Sequence, residues 1–164
     1  MSYRGRFRCY VYDALTGRLR RRFCARNAVT DASLNDLLAI YFVAGAQKTS
    51  WYFALISNTD FTGLANSDTA ASHAGWTEST DYAEATRPQW SPGAPAGGLI
   101  TNPVFGKFTM NLGSVIKGLA LISNNTKAGT TGLLFCTALA EGGDQTLQVG
   151  EVLKVYYDGT MARG

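Results

Sequence analysis

Hydrophobic and polar positions alternate with a period of two over residues 4–12 and again over 18–25, with "DALTG" (Asp13 to Gly17) between them. That period predicts two half-buried strands, and a short loop ending in glycine makes them a hairpin. Pairing Asp13 with Gly17 sets Tyr12 opposite Arg18 and Val11 opposite Leu19. A three-residue loop of this kind needs a residue at positive φ, which Gly17 supplies. In this register Phe7, Cys9, Val11, Leu19 and Phe23 share one face, with Arg21 as the exception. Arg4, Arg6, Arg8, Tyr10, Tyr12, Arg18, Arg20 and Arg22 share the other. A slip by one residue would scatter arginines over both faces, so the hydrophobic pattern selects the pairing.

The period then changes. "NAVTDASLNDLLAIYF" (Asn27 to Phe42) predicts one helix over about 30–43, capped by Thr30 or Asp31, with Leu34, Leu37, Leu38 and Tyr41 at the i, i+3, i+4, i+7 spacing of an apolar face. "WYFALIS" (Trp51 to Ser57) is apolar almost throughout and reads as a buried strand. Regular structure thins out over 58–98, where "NTDFTGLANSDTAASHAGWTESTDY" is polar and small, and "RPQWSPGAPAGG" adds three of the four prolines. A connection of that length in a compact domain is expected to be a functional loop or an extended arm. Strands return from Leu99 in "VFGKFTM", "SVIKGLALIS", "TTGLLFCTALA" and "TLQVGEVLKVYY". "FALISN" (Phe53 to Asn58) echoes "LALISN" (Leu119 to Asn124), as two core strands of similar composition would. One helix and about eight strands, without strand–helix alternation, predict a mainly all-β protein. It is expected to be an antiparallel β-sandwich or jelly-roll-like fold over residues 1–164 as a single domain.

Charge adds something the pattern does not. The net charge of +3 conceals eight arginines against one acid in residues 1–26, a local +7, while the remainder sums to −4. Six arginines on one strand face repel one another, and like charges opposed across strands are destabilising. Such density predicts a partner of opposite sign. Tyr10 and Tyr12, interleaved with the arginines, suit a protein interface, where Tyr and Arg are enriched. Nucleic acid would also suit stacked rings and guanidinium groups, but the net charge is low and nucleic-acid motifs are absent, so a protein partner is favoured. A second candidate contact is the aromatic loop, with Trp76, Tyr82, Arg87 and Trp90 in "GWTESTDYAEATRPQW". Its rings could stack on sugars, or staple the loop to its own domain or to a neighbouring subunit.

Candidate chemistry is thin. His73, the single histidine, lies beside Ser72 and near Asp68, but adjacent Ser-His in a loop does not supply triad geometry. "SVIK" (Ser114 to Lys117) matches S-x-x-K without its companion motifs, and "KAGTTG" (Lys127 to Gly132) lacks phosphate-loop spacing. Glu78, Asp81 and Glu84 lie close together in a loop, where carboxylates usually face solvent. No cofactor, metal or catalytic residue is expected. Cys9, Cys24 and Cys136 sit in apolar strand contexts; the hairpin register puts Cys9 and Cys24 on opposite faces, so free thiols are expected. With no apolar leader or membrane-length run, a soluble protein made in a reducing cytoplasm is expected.

The segment "DTAASHAGWTESTDYAEATRPQW" resembles one that recurs in small structural proteins of tailed bacteriophages. Around it "NAVTDASLNDLLAIYF", "WYFALIS", "IKGLALIS", "GTTGLLF" and "LQVGEVLKVYY" follow in the order that family shows. The arginine density of the first hairpin departs from the family's usual opening. The resemblance implies a virion component rather than an enzyme, made in the bacterial host cytoplasm and carried on the capsid surface. It implies a capsid cement or decoration protein that bridges major capsid subunits and contacts copies of itself. No small-molecule substrate or membrane partner is expected, and nucleic acid is disfavoured by the low net charge. Three other readings stay open: a tail or fibre component binding host glycans through Trp76 and Trp90, a cell-wall glycan hydrolase, and a nucleic-acid binder.

Overall fold

A computed structural model describes residues 2–162. The strands and single helix run β1 (Ser2–Asp13), β2 (Leu19–Val29), α1 (Asp31–Phe42), β3 (Trp51–Ser57), β4 (Glu78–Ser79), β5 (Gln89–Trp90), β6 (Leu99–Thr101), β7 (Gly106–Thr109), β8 (Ser114–Ile122), β9 (Leu134–Ala140), β10 (Gln145–Leu147) and β11 (Glu151–Ala162). The protein is mainly β, antiparallel and sandwich-like with one helix, as the pattern predicts. Its strands form one sheet in the order β4-β3-β8-β9-β2-β1-β11-β6, with β5 added to β3, β10 to β8 and β7 to β11. Strands beyond the eight expected are pieces of two to four residues, too short to carry a periodic signal.

The sheet closes on its own inner face. Four inter-strand steps separate β1 from β3, which in a flat sheet is about 19 Å. Yet the Phe7 and Phe53 rings meet with centroids 6.2 Å apart. Curling brings Phe7, Cys9 and Val11 of β1 against Phe53 and Leu55 of β3, with Leu119, Leu121, Leu153, Val155 and Tyr157 in the same core. β3 and β8 are apolar on both sides for a reason. Ala54, Ile56 and Ala120 point outward, where Trp76, Phe61 and Leu64 of the following segment cover them in a second, smaller cluster. The "FALISN" and "LALISN" stretches are adjacent partners in this layer, with Phe53 opposite Leu121 and Leu55 opposite Leu119.

Residues 58–98 are therefore not an extended arm. β4 and β5 both pair with β3, while Tyr82 bridges Met110 and the Ala83 N–H donates to Thr109 O at 2.8 Å. The segment joins the β3 end of the sheet to the β7 end. Gly106 is required at that seam, because a Cβ there would enter the Phe53 ring.

The first hairpin keeps its predicted faces along most of its length but not its predicted register. Gly17 takes positive φ (67°) and closes the turn to Asp13. A bulge between Val11 and Tyr12 then sets Tyr12 opposite Leu19, Val11 opposite Arg21, Tyr10 opposite Arg22 and Cys9 opposite Phe23. Arg20 is the extra residue on the bulged strand. The shift moves Leu19 to the outer face, where it is exposed. A two-residue shift over the rest of the hairpin preserves the alternation for Arg6, Arg8, Tyr10 and Arg22. Arg20, however, turns to Asp13 and Glu151, and Arg18 lies outside the ladder beside the cavity those acids line, so neither keeps its predicted place on the outer face.

Helix α1 also departs from expectation. Thr30 caps it, accepting from the Ser33 N–H, but Leu34, Leu38 and Tyr41 point to solvent. The helix is anchored by polar contacts near its start. Thr30 Oγ1 and Ser33 Oγ both donate to Leu134 O, at 2.6 and 2.9 Å, which turns the Leu37–Ile40 side toward the sheet.

Candidate functional site

Opposed residues of an antiparallel pair share a face, so the pairings of β1, β2, β11 and β7 define the outer surface of the arginine hairpin row by row. One row runs Arg26, Arg6, Asp158 and Thr101. The next holds Cys24, Arg8 and Tyr156, and the third Arg22, Tyr10, Lys154 and Lys107. Leu19, Tyr12, Val152 and Thr109 follow. Arg4 extends the face beside Thr160. The hairpin is thus one half of a wider basic surface whose other half comes from the last strand.

Lys107, Lys154 and Tyr156 are functional candidates that the sequence reading missed. The alternation in "VLKVYYD" (Val152 to Asp158) carries a signal, with Lys154, Tyr156 and Asp158 opposite in phase to Leu153, Val155 and Tyr157. What it does not carry is the pairing of the first strand with the last.

Internal partners divide the arginines into two groups. Arg8 grips Asp158 through Nε and Nη2 at 2.6 and 3.0 Å and lies over the Tyr156 ring at 4.9 Å. Arg21, on the inner face, holds Glu151 through two 2.9 Å bonds, and Arg20 pairs with Asp13. Arg26 meets Glu141 at 3.0 Å, and Lys107 meets Glu84 at 3.6 Å. Among the described residues, no carboxylate lies within 4.0 Å of Arg4, Arg6, Arg18 or Arg22. Arg6 instead donates to Cys24 Sγ at 3.0 Å. Lys154 sits over the Tyr12 and Phe105 rings at 4.4 and 4.5 Å, and the Tyr10 and Tyr156 rings meet edge to face at 6.0 Å. The rings brace the cations without neutralising them, which leaves a preorganised positive surface.

The acids that serve this region are held ionised. Burial pushes Asp158 up, but its bonds from Arg8 and Thr101 outweigh that and hold the carboxyl below its usual range. Burial likewise raises Glu151, and the Arg21 guanidinium with the Gln148 N–H lowers it further than burial lifts it. Asp13 is held low by Arg20 first and by Thr16 second.

The four aromatic-loop candidates take the opposite fate. Trp76, Tyr82, Arg87 and Trp90 are all buried within their own chain, which overturns their assignment as interface residues. Trp76 donates its Nε1–H to Asp68 at 3.0 Å, and Trp90 donates to Asn102 Oδ1 and Tyr157 O at 3.2 Å. Tyr82 stands edge-on to Phe108 at 4.8 Å under Lys127. Arg87 binds Glu78 at 2.7 Å and donates to Asn124 O and Gly129 O. Large side chains on an irregular segment find enough apolar and polar partners in the sheet beneath, so stapling wins over display.

The catalytic candidates are similarly engaged. His73 stacks on Trp76 at 4.0 Å, its Nδ1 is 2.9 Å from Trp76 O, and Asp68 is committed to the indole. Ser72, His73 and Asp68 thus do not line up as a triad. Glu78 is buried in its ion pair rather than facing solvent, Asp81 accepts from Ser79, and Glu84 accepts from the Thr109 N–H and hydroxyl. Among the described residues, no three His, Cys, Asp or Glu side chains are grouped to hold a metal ion, and no helix is long and apolar enough to cross a membrane. The cysteines are free: burial raises the Cys9 thiol and lifts Cys136 to about 12. No family model matches the chain, and no curated protein matches it.

Proposed function

We propose that the chain is a non-enzymatic structural protein of a bacteriophage virion, a capsid cement or decoration protein that docks its basic face on acidic patches of the major capsid subunits. One observation carries this reading. Arg4, Arg6 and Arg22 have no carboxylate within 4.0 Å among the described residues, on a face that Lys154 makes still more positive, while Lys107 beside it is paired with Glu84. The resemblance of residues 68–90 to phage structural proteins supports the virion setting. An antiparallel sheet face is rigid, so docking orders little besides side chains. Aromatic anchors among guanidinium groups are what protein interfaces enrich.

The mechanism is linkage. A protein that binds only the assembled lattice stabilises it by about 4 kcal/mol per site at a thousandfold over its dissociation constant. The test adds purified protein to shells lacking it and follows their thermal tolerance at low and high salt. Tolerance should rise, more at low salt because screening weakens the contact. Arg6→Glu and Arg22→Glu together should abolish the gain. Shells equally robust with and without the protein would refute the reading. The tail or fibre alternative loses its proposed sugar-stacking rings, since Trp76 and Trp90 are buried.

A further inference from the structure

Helix α1 turns most of its apolar surface away from the sheet. Ser33 is its buried residue, while Asp36, Leu37 and Ile40 line a cavity of about 190 Å³ with Tyr3, Trp51 and Phe135. Leu34, Leu38, Tyr41, Phe42 and Val43 project outward, 46, 57, 79, 81 and 77% exposed. Single exposed leucines are ordinary, but four large exposed side chains on one twelve-residue helix, with a fifth at its C-cap, are not. Positions 34, 38 and 41 follow the i, i+4, i+7 spacing by which two helices interdigitate.

We propose that this stripe is a homodimer interface, with α1 packed antiparallel on α1 of a second copy about a two-fold axis. Charge argues for a copy of the same chain. Residues 31–47 contain no base and only two acids, Asp31 and Asp36, and Asp36 is paired with Lys48 at 3.3 Å. A two-fold contact sets a patch against itself, which a charged patch resists and this one permits. Antiparallel packing keeps the two Asp31 side chains about a helix length apart, roughly 18 Å for twelve residues, beyond the screening length of about 8 Å in physiological salt. The arginine face could not self-associate in this way, because its uncompensated cations would repel. Area argues in the same direction. Rings such as Tyr41 and Phe42 offer about 150–250 Å² each. At their exposure, the two supply roughly a third to a half of the ~800 Å² per partner that a stable pair buries. Leu34 and Leu38 add to it on the same stripe.

The inference does not rest on the capsid reading, although a dimer would carry two basic faces and gain avidity on a repeating lattice.

Sedimentation equilibrium on the full chain at tens of micromolar tests it, comparing wild type with Leu38→Glu, Tyr41→Glu and Arg22→Glu. Wild type should show twice the chain mass of 17.6 kDa. Leu38→Glu and Tyr41→Glu should each fall to a single chain mass while still unfolding cooperatively, since both positions are exposed. Their melting temperature should be lowered only by the lost association and no longer depend on protein concentration. Arg22→Glu should stay dimeric. A wild type that stays at one chain mass overturns the proposal, as does a dimer that survives both helix variants. Dissociation by Arg22→Glu would move the interface to the basic face and overturn it too. A monomer whose binding to shells is lost in Leu38→Glu would assign the stripe to a shell protein instead of a second copy.

Discussion

Replacing Arg87 by Met should unfasten the segment that closes the sheet. The Arg87 and Glu78 side chains are 3% and 4% exposed and only 2.7 Å apart. Glu78 accepts both Nε and Nη2 of Arg87, and its Oε2 also takes the Ala128 N–H at 2.7 Å. The same guanidinium donates to Asn124 O at 2.9 Å and Gly129 O at 3.1 Å. Arg87→Met thus strands a buried carboxylate with one backbone donor and leaves two carbonyls in the β8–β9 turn unpaired. Removing one partner of a buried pair costs about 3–5 kcal/mol, a large part of a typical total stability of about 5–15 kcal/mol. For a chain of this length that is a fall in melting temperature of about 6–20 °C. Urea unfolding read by tryptophan fluorescence is the assay, because Trp76 and Trp90 both lie in the affected segment. Glu78→Leu combined with Arg87→Met removes both charges and should cost less than the sum of the single changes, with coupling of about 1–3 kcal/mol. A loss below about 1 kcal/mol for Arg87→Met, or strictly additive singles, would refute the reasoning that the pair fastens the segment.

Stability should also fall in acid. Asp158 and Glu151 titrate lower in the folded chain than unfolded, so their contribution is complete above the unfolded carboxylate range of about 4 and drains away as pH drops through the folded values. The melting temperature should hold between about pH 5 and 8 and decline below about pH 4; Asp158→Asn should lower the plateau and flatten the decline. A thiol reagent should modify one cysteine in the native protein, half-buried Cys24, and reach Cys9 and Cys136 only after unfolding; rapid modification of all three would contradict the described burial. Gly118→Ala should prevent normal folding, because its Cβ would enter the Ala138 carbonyl of the neighbouring strand, and a soluble variant with wild-type melting would show that β8 and β9 are packed differently.

How much of this was legible beforehand depends on the range over which each feature is decided. The period of two in residues 4–25 is local, and the two faces of the hairpin follow from it. The bulge does not, because Arg20 leaves the ladder to meet Asp13 and Glu151, and Glu151 is 131 positions away. The helix cap at Thr30 was readable, but the side of α1 that faces the sheet was not. Its leucine spacing points one way, while two hydroxyls bonded to Leu134 O decide the other.

The chain's own pattern was enough to determine that this is a mainly β protein with one helix and an arginine-dense first hairpin, because period and charge are properties of neighbouring residues. Only the tertiary structure decided that the first strand pairs with the last, so that Lys154 and Tyr156 join the arginine face, and that the aromatic loop closes the sheet. Those outcomes depend on contacts between residues tens to more than a hundred positions apart, where burial of Trp76, Tyr82 and Trp90 against the sheet outweighs any local preference for display.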